Sequence, residues 1–219
     1  MKTVDIGGIE IYVEESEKYI QINDIQGEDL ARVWEALTHR YPSYEVVLCF
    51  RNMPAPTDML DSIEAVVLED CIEMRVTPQG YKPHACQEIT LLTKDDFAKL
   101  AAHHDKINPA PEFYWTSQRI LDKWDIWRIF VVKTGGETVG YAMLMLKLRD
   151  ETIGEIFGAW AEDPAHRKAL FSAMAGCAFD SGKATVVRMI ERSDTCEYDA
   201  ALAVGFCEVG YYVGYQVYT

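Results

Sequence analysis

Residues 128–146 constrain the fold of this 219-residue chain more than any other stretch. Arg128-Ile129-Phe130-Val131-Val132-Lys133 and Thr138-Val139-Gly140-Tyr141-Ala142-Met143-Leu144-Met145-Leu146 are two apolar runs joined by Thr134-Gly135-Gly136-Glu137. A glycine turn between such runs predicts an antiparallel hairpin. Strand signals elsewhere alternate with helical ones, so the hairpin must belong to a sheet that also carries βα crossovers. The expected class is α/β with a mixed sheet flanked by helices.

Before the hairpin the chain reads as two units. Ile9-Glu10-Ile11-Tyr12-Val13 and Tyr19-Ile20-Gln21-Ile22 alternate as half-buried strands. A helix follows over 29–40, with Leu30, Val33, Trp34 and Leu37 at helical spacing, then the apolar strand Glu45–Phe50. A helix over 58–68 and a strand over 71–76 complete a smaller βαβαβ unit. Thr77-Pro78-Gln79-Gly80-Tyr81-Lys82-Pro83 is dense in turn formers, which sets the expected boundary between units 1–82 and 83–219. The second unit opens with a strand at 89–92 and a helix from Thr93 to about His104, with Asp95 and Asp96 at its positive end. A break at Pro109 and Pro111 precedes a helix over 115–124. After the hairpin come a strand (153–161), a helix (165–179), a strand (184–190), a short helix (197–204) and aromatic strands around 211–218.

Composition narrows the function classes. No run approaches the roughly 18 apolar residues of a membrane span, and the N-terminal residues lack the apolar stretch of a signal peptide, so a cytoplasmic protein without membrane association is expected. The six cysteines show no CxxC spacing, and neither zinc nor disulfides are indicated. With 21 basic against 35 acidic residues the net charge is −14, which repels nucleic acid and either favours cationic ligands or simply keeps the protein soluble. His103 and His104 are adjacent on a helix, face different ways and are read as structural.

The two units echo each other at an offset of roughly 135 residues, in element order more than in residue identity. Glu28-Asp29-Leu30-Ala31-Arg32 before a helix corresponds to Glu162-Asp163-Pro164-Ala165-His166-Arg167. This suggests a degenerate duplication, the alternative being that βαβαβ order is simply common.

From Ile89 onward the element order resembles the GNAT superfamily of acyl-CoA N-acyltransferases. Pro164-Ala165-His166-Arg167-Lys168-Ala169-Leu170-Phe171-Ser172 follows a strand and opens a helix, as that family's acyl-CoA loop does. Pro164 and Arg167 match the family pattern, whereas Leu170 and Ser172 stand where glycines are expected. Gly205-Phe206 is a second match. Residues 1–82 then read as a degenerate half of the same fold. A helix start offers unpaired N–H groups and a positive dipole end to a diphosphate, and Arg167 and Lys168 would add charge.

The resemblance implies acetyl-CoA as cosubstrate and a small cationic amine or a peptide N-terminal amine as acceptor. It assigns acyl-CoA binding to Trp160, Ala161, Arg167, Lys168, Ala169, Leu170, Phe171 and Ser172. Acyl transfer needs a base, oxyanion donors and an acid. The strand ending Gly158-Ala159-Trp160-Ala161 would supply backbone donors. Ala201 stands where the family has its tyrosine acid, and Tyr198, one turn earlier, is the candidate substitute. Glu155 and Glu191, on neighbouring strand ends, are the candidate bases. An N-acyltransferase is the reading that follows, with a non-catalytic acyl-CoA-binding or regulatory protein of the same fold as the alternative. Neither acceptor nor oligomeric state is legible.

Overall fold

The computed structural model describes residues 2–85, 88–108, 115–148 and 150–219. It is a mixed α/β fold with two compact units, Met1–Glu73 together with Val209–Thr219, and Met74–Glu208. The expected boundary at residue 82 therefore differs from the observed one: residues 74–82 lie in the second unit and the last eleven residues in the first.

In the first unit, β1 (Lys2–Ile6), β2 (Ile9–Glu14) and β3 (Tyr19–Asn23) form an antiparallel meander. Ile11, Val13, Ile20 and Ile22 point inward at 2% exposure or less, as the alternation requires. Helix α1 (Gly27–Arg40) buries Leu30, Val33 and Leu37 in the same cluster as Val46, Leu48 and Phe50 of β4 (Glu45–Arg51). β4 runs parallel to β3, and its other edge pairs antiparallel with the chain end, from Tyr212 opposite Arg51 to Tyr218 opposite Glu45. β1 was not expected, because only Ile6 of its five residues is buried and no alternation marks it.

Helix α2 (Thr57–Ser62) is shorter than the sequence suggested, and Val66, Val67 and Leu68 belong instead to β5 (Val66–Val76). Glu64 takes a left-handed φ of 58° after the helix, and the β-branched pair that follows prefers the extended chain.

In the second unit, β6 (Ile89–Leu91), β7 (Trp127–Thr134), β8 (Glu137–Met145), β9 (Ile153–Ala161) and β10 (Thr185–Glu191) lie in the order β10-β9-β8-β7-β6. The β7–β8 hairpin is as expected, turning at Gly135 and Gly136 with φ of 62° and 91°. Helices α3 (Lys94–Ile107) and α4 (Ser117–Asp122) cover one face through Phe97 and Ile120, against Trp127, Ile129, Tyr141 and Met143. Thr93 and Thr116 cap them, which leaves Trp115 outside the helix in which it was expected; the Pro109/Pro111 break lies outside the described residues. Helix α5 (Pro164–Asp180) connects β9 to β10, α6 (Thr195–Val204) follows, and β11 (Cys207–Tyr218) ends the chain. No helix among the described residues is long and apolar enough to cross a membrane.

Candidate active site

β9 is an irregular strand of the second unit. Its ladder with β8 shifts register where Met143 pairs with Gly158 but Leu144 pairs with Ile156, so Phe157 is an extra residue. Such a bulge bends a strand and re-aims its edge. On the other side the parallel ladder with β10 ends at Ile156 opposite Arg188, although β9 continues to Ala161 and β10 to Glu191. The two strands separate there. Successive backbone groups of a strand point to opposite edges, so the Ala159 N–H shares an edge with the carbonyls of Phe157 and Ala161.

Two arginines answer those carbonyls. Arg188 Nη1 donates to the Phe157 carbonyl at 3.0 Å, while its Nε and Nη2 grip Glu197 of α6 at 2.8 and 3.1 Å. Both side chains of that pair are largely buried, at 17% and 7% exposure. Arg167 Nη2 donates to the Ala161 carbonyl at 3.2 Å, and its Nη1 pairs with Asp194 at 3.0 Å. The Asp194 carboxylate also caps α6 by accepting from the Glu197 N–H at 2.8 Å.

Gly158, Ala159 and Trp160 also line a cavity of about 330 Å³ with Ile107, Asn108, Tyr141 and Met143. Tyr141 is the cross-strand partner of Trp160, and Met143 of Gly158, so these four occupy the sheet face that α3 covers. The Tyr141 hydroxyl lies 2.9 Å from Nδ1 of the fully buried His104. His104 Nε2 lies 2.8 Å from the Trp115 carbonyl. Burial lowers the His104 pKa and raises that of Tyr141, because each is charged at the cost of its hydration.

The start of α5 is largely self-satisfied. Pro164 at its first position has no N–H, the Asp163 carboxylate accepts from the Ala165 N–H at 2.7 Å, and the Arg167 N–H bonds the Asp163 carbonyl at 3.1 Å. A carboxylate of the chain itself thus sits at the positive end of the helix dipole.

No protein-family model matches the sequence, and no curated protein matches it. Solved structures do. A GCN5-related N-acetyltransferase from Kribbella flavida superposes with a TM-score of 0.65 at 9% identity, over 99% of this chain and 89% of that one. Another from Sphaerobacter thermophilus gives 0.61 at 16% identity, over 95% and 76%. A tandem GNAT protein from the clavulanic acid biosynthesis pathway gives 0.63 at 12% identity, over 99% and 81%.

The chain has the GNAT fold.

Residues 164–172, expected to form an acyl-CoA loop, do open α5 after β9, and their side chains have partners within the chain. Ala169, Leu170, Phe171 and Ser172 are all buried, and Leu170 packs close over Gly140 of β8. The Ser172 hydroxyl accepts from the His84 N–H at 2.8 Å and meets the Tyr81 hydroxyl at 3.0 Å. Lys168 is half-buried. The positive charge of Arg167, which opposes the helix dipole, has its counter-charge in Asp194.

The candidate acid and bases stand on three different elements, Tyr198 on α6, Glu155 on β9 and Glu191 on β10. Tyr198 is half-buried and donates to Glu208 at 3.2 Å. Partial burial first and that bond second raise its pKa. Ala201 is fully buried, and the polar group that α6 turns inward is Glu197. Glu191 is exposed at the end of β10, and Glu155 is half-buried in β9 opposite Val187 and Met145. The sequence reading missed Arg188, Glu197 and Tyr141. For Glu197 the signal was present, a carboxylate four residues before Ala201 and so on the same helix face; for Tyr141, within an apolar hairpin, there was none.

Proposed function

We infer that the second unit is an acyl-CoA-dependent N-acyltransferase that transfers an acetyl group from acetyl-CoA to a small amine or an N-terminal amine. One observation carries this reading: Gly158, Ala159 and Trp160 form both the edge that β10 leaves unpaired and the wall of the cavity. Where the ladder stops, the Ala159 N–H on that edge is the candidate donor for the oxyanion that forms when an amine attacks a thioester, and the adjoining cavity gives the amine its place. In this reading β9 positions the thioester carbonyl by its backbone, with Trp160 and Ala161 nearest, and the first turn of α5 faces the diphosphate, with Arg167 and Lys168 beside it. Asp163 must then give up the Ala165 N–H to the incoming ligand. Tyr198 is the candidate acid for the departing thiolate, and its raised pKa keeps the proton in place at neutral pH. Glu155 and Glu191 are the candidate bases. The first unit is a degenerate half of the same fold, as a tandem neighbour would suggest.

A second reading is a non-catalytic acyl-CoA-binding or regulatory protein. It is favoured by the Asp163 cap, by Ala201, and by the buried Arg188–Glu197 pair at the mouth of the splayed strands. Acetyl-CoA consumption against a panel of amines and peptide N-termini separates the two. Turnover that falls at least tenfold in Tyr198→Phe, with acetyl-CoA affinity unchanged, is expected, since loss of a general acid typically costs about 10²–10⁴ and a thiolate is a fair leaving group. Acetyl-CoA binding without turnover on any acceptor would establish the second reading instead.

A further inference from the structure

The cavity beside β9 has a polarity that the hydrogen-bond chain behind it fixes. A carbonyl only accepts, so the His104 nitrogen facing the Trp115 carbonyl, Nε2, must carry the ring proton. In the neutral imidazole Nδ1 is then an acceptor, and the Tyr141 hydroxyl 2.9 Å away is the donor. With its hydrogen committed to His104, the Tyr141 oxygen can offer only lone pairs to the cavity it lines. Asn108 is oriented by the same logic. Its Nδ2 lies 3.3 Å from the His104 carbonyl and 3.5 Å from Nδ1, both acceptors, so the amide nitrogen faces the histidine. Among the described residues no bond is made to Oδ1, which is a second acceptor at the same wall.

Among the described residues, the rest of the lining is Ile107, Met143, Gly158, Ala159 and Trp160. None of these is charged, and Trp160 stands 41% exposed. Among the described residues the lining carries these two acceptors, one side-chain donor in the Trp160 indole N–H, and no cation, a balance that favours a group rich in hydrogens. An ammonium has three such donors and is also attracted to an indole face. A carboxylate would meet two acceptor oxygens and, among the described residues, no counter-charge.

We propose that this cavity selects a compact primary amine carried on an aromatic or alkyl body without an acidic group, that Tyr141 and Asn108 are its specificity-determining residues, and that His104 is the positioning residue that holds Tyr141 as an acceptor. The inference rests on the acyltransferase reading only in taking the amine as the group to be acylated; binding itself needs no acyl donor. The net charge of −14 also favours approach of a cation.

The test is calorimetry without acetyl-CoA, using 2-phenylethylamine, the neutral 2-phenylethanol and the carboxylated phenylalanine as probes. The amine is expected to bind at least tenfold more tightly than either of the others. Tyr141→Phe and Asn108→Ala should each cut amine affinity severalfold to tenfold while leaving alcohol binding nearly unchanged. His104→Leu frees the Tyr141 hydrogen to turn into the cavity and should abolish the preference for amine over alcohol. His104→Gln, which can both accept and donate, should restore that preference even if the melting temperature stays low, an outcome a purely structural histidine would not give. No amine binding by the wild type, equal binding of phenylalanine, or full amine preference in both Tyr141→Phe and Asn108→Ala overturns the assignment. Amine binding with no acetyl transfer would leave this assignment standing and overturn the acyltransferase reading.

Discussion

At the scale of single residues, two kinds of constraint coexist in the second unit, and only one of them could be read from sequence. Gly205 ends α6 with a left-handed φ of 99°, and a Cβ there would overlap the Gly80 carbonyl oxygen. Both the backbone conformation and the close approach exclude a side chain, which gives a structural reason for the Gly205-Phe206 pair that drew attention in the sequence. Gly205→Ala is expected to destabilise the protein by more than about 2 kcal/mol, combining αL strain with displacement of the Gly80 backbone. Urea denaturation measures it; a loss below about 0.5 kcal/mol would contradict the contact. Arg167 shows the other kind. As a cation in the first turn of α5 it looked like half of an anion site, because the sequence displays the helix but not Asp194, which lies 27 residues away. The mismatch with the helix dipole was a sound observation, and the partner that resolves it belongs to the chain.

At the scale of elements, the hairpin, the helices with one apolar stripe and the alternating strands were legible because their periodicity is local. The bulge at Phe157 and the parting of β9 from β10 were not, since they depend on which edges meet. The Arg188–Glu197 pair belongs to this level: it ties β10 to α6 and to the Phe157 carbonyl where the ladder stops. Removing one partner of a buried pair strands the other charge, which typically costs about 3–5 kcal/mol, whereas replacing both with apolar residues is often neutral. Glu197→Leu is therefore expected to lower stability by several kcal/mol, and the double variant Arg188→Met with Glu197→Leu to recover most of the loss. A double-mutant cycle by chemical denaturation reads the coupling. A double variant as unstable as the sum of the singles would show that the pair is not the tie described.

At the scale of the whole molecule, the sequence placed the unit boundary at its densest turn, yet chain connectivity does not follow it. The strand formed by residues 212–218 completes the first unit by pairing along the whole of β4, a non-local closure that no pattern in residues 1–82 announces. A fragment of residues 1–82 leaves that edge of β4 open and exposes backbone groups that invite aggregation. It should be unstable or oligomeric, and a monomeric fragment with a cooperative melt would contradict the role of the returning strand.

Acyl-CoA recognition is the claim on which the functional account turns, and Asp163 is where it can be tested most directly. The carboxylate holds the Ala165 N–H at the position a diphosphate would need, so acetyl-CoA must displace a like charge. Asn still caps a helix but carries no charge, and removing one negative charge about 4 Å from a phosphate charge is worth roughly 1–2 kcal/mol at the effective dielectric of about 40–80 that suits an exposed carboxylate. Calorimetric titration of acetyl-CoA into the wild type and Asp163→Asn should give weak binding in the first and about tenfold tighter binding in the second. No binding in either protein, or identical affinity in both, would contradict the placement of acyl-CoA at the start of α5.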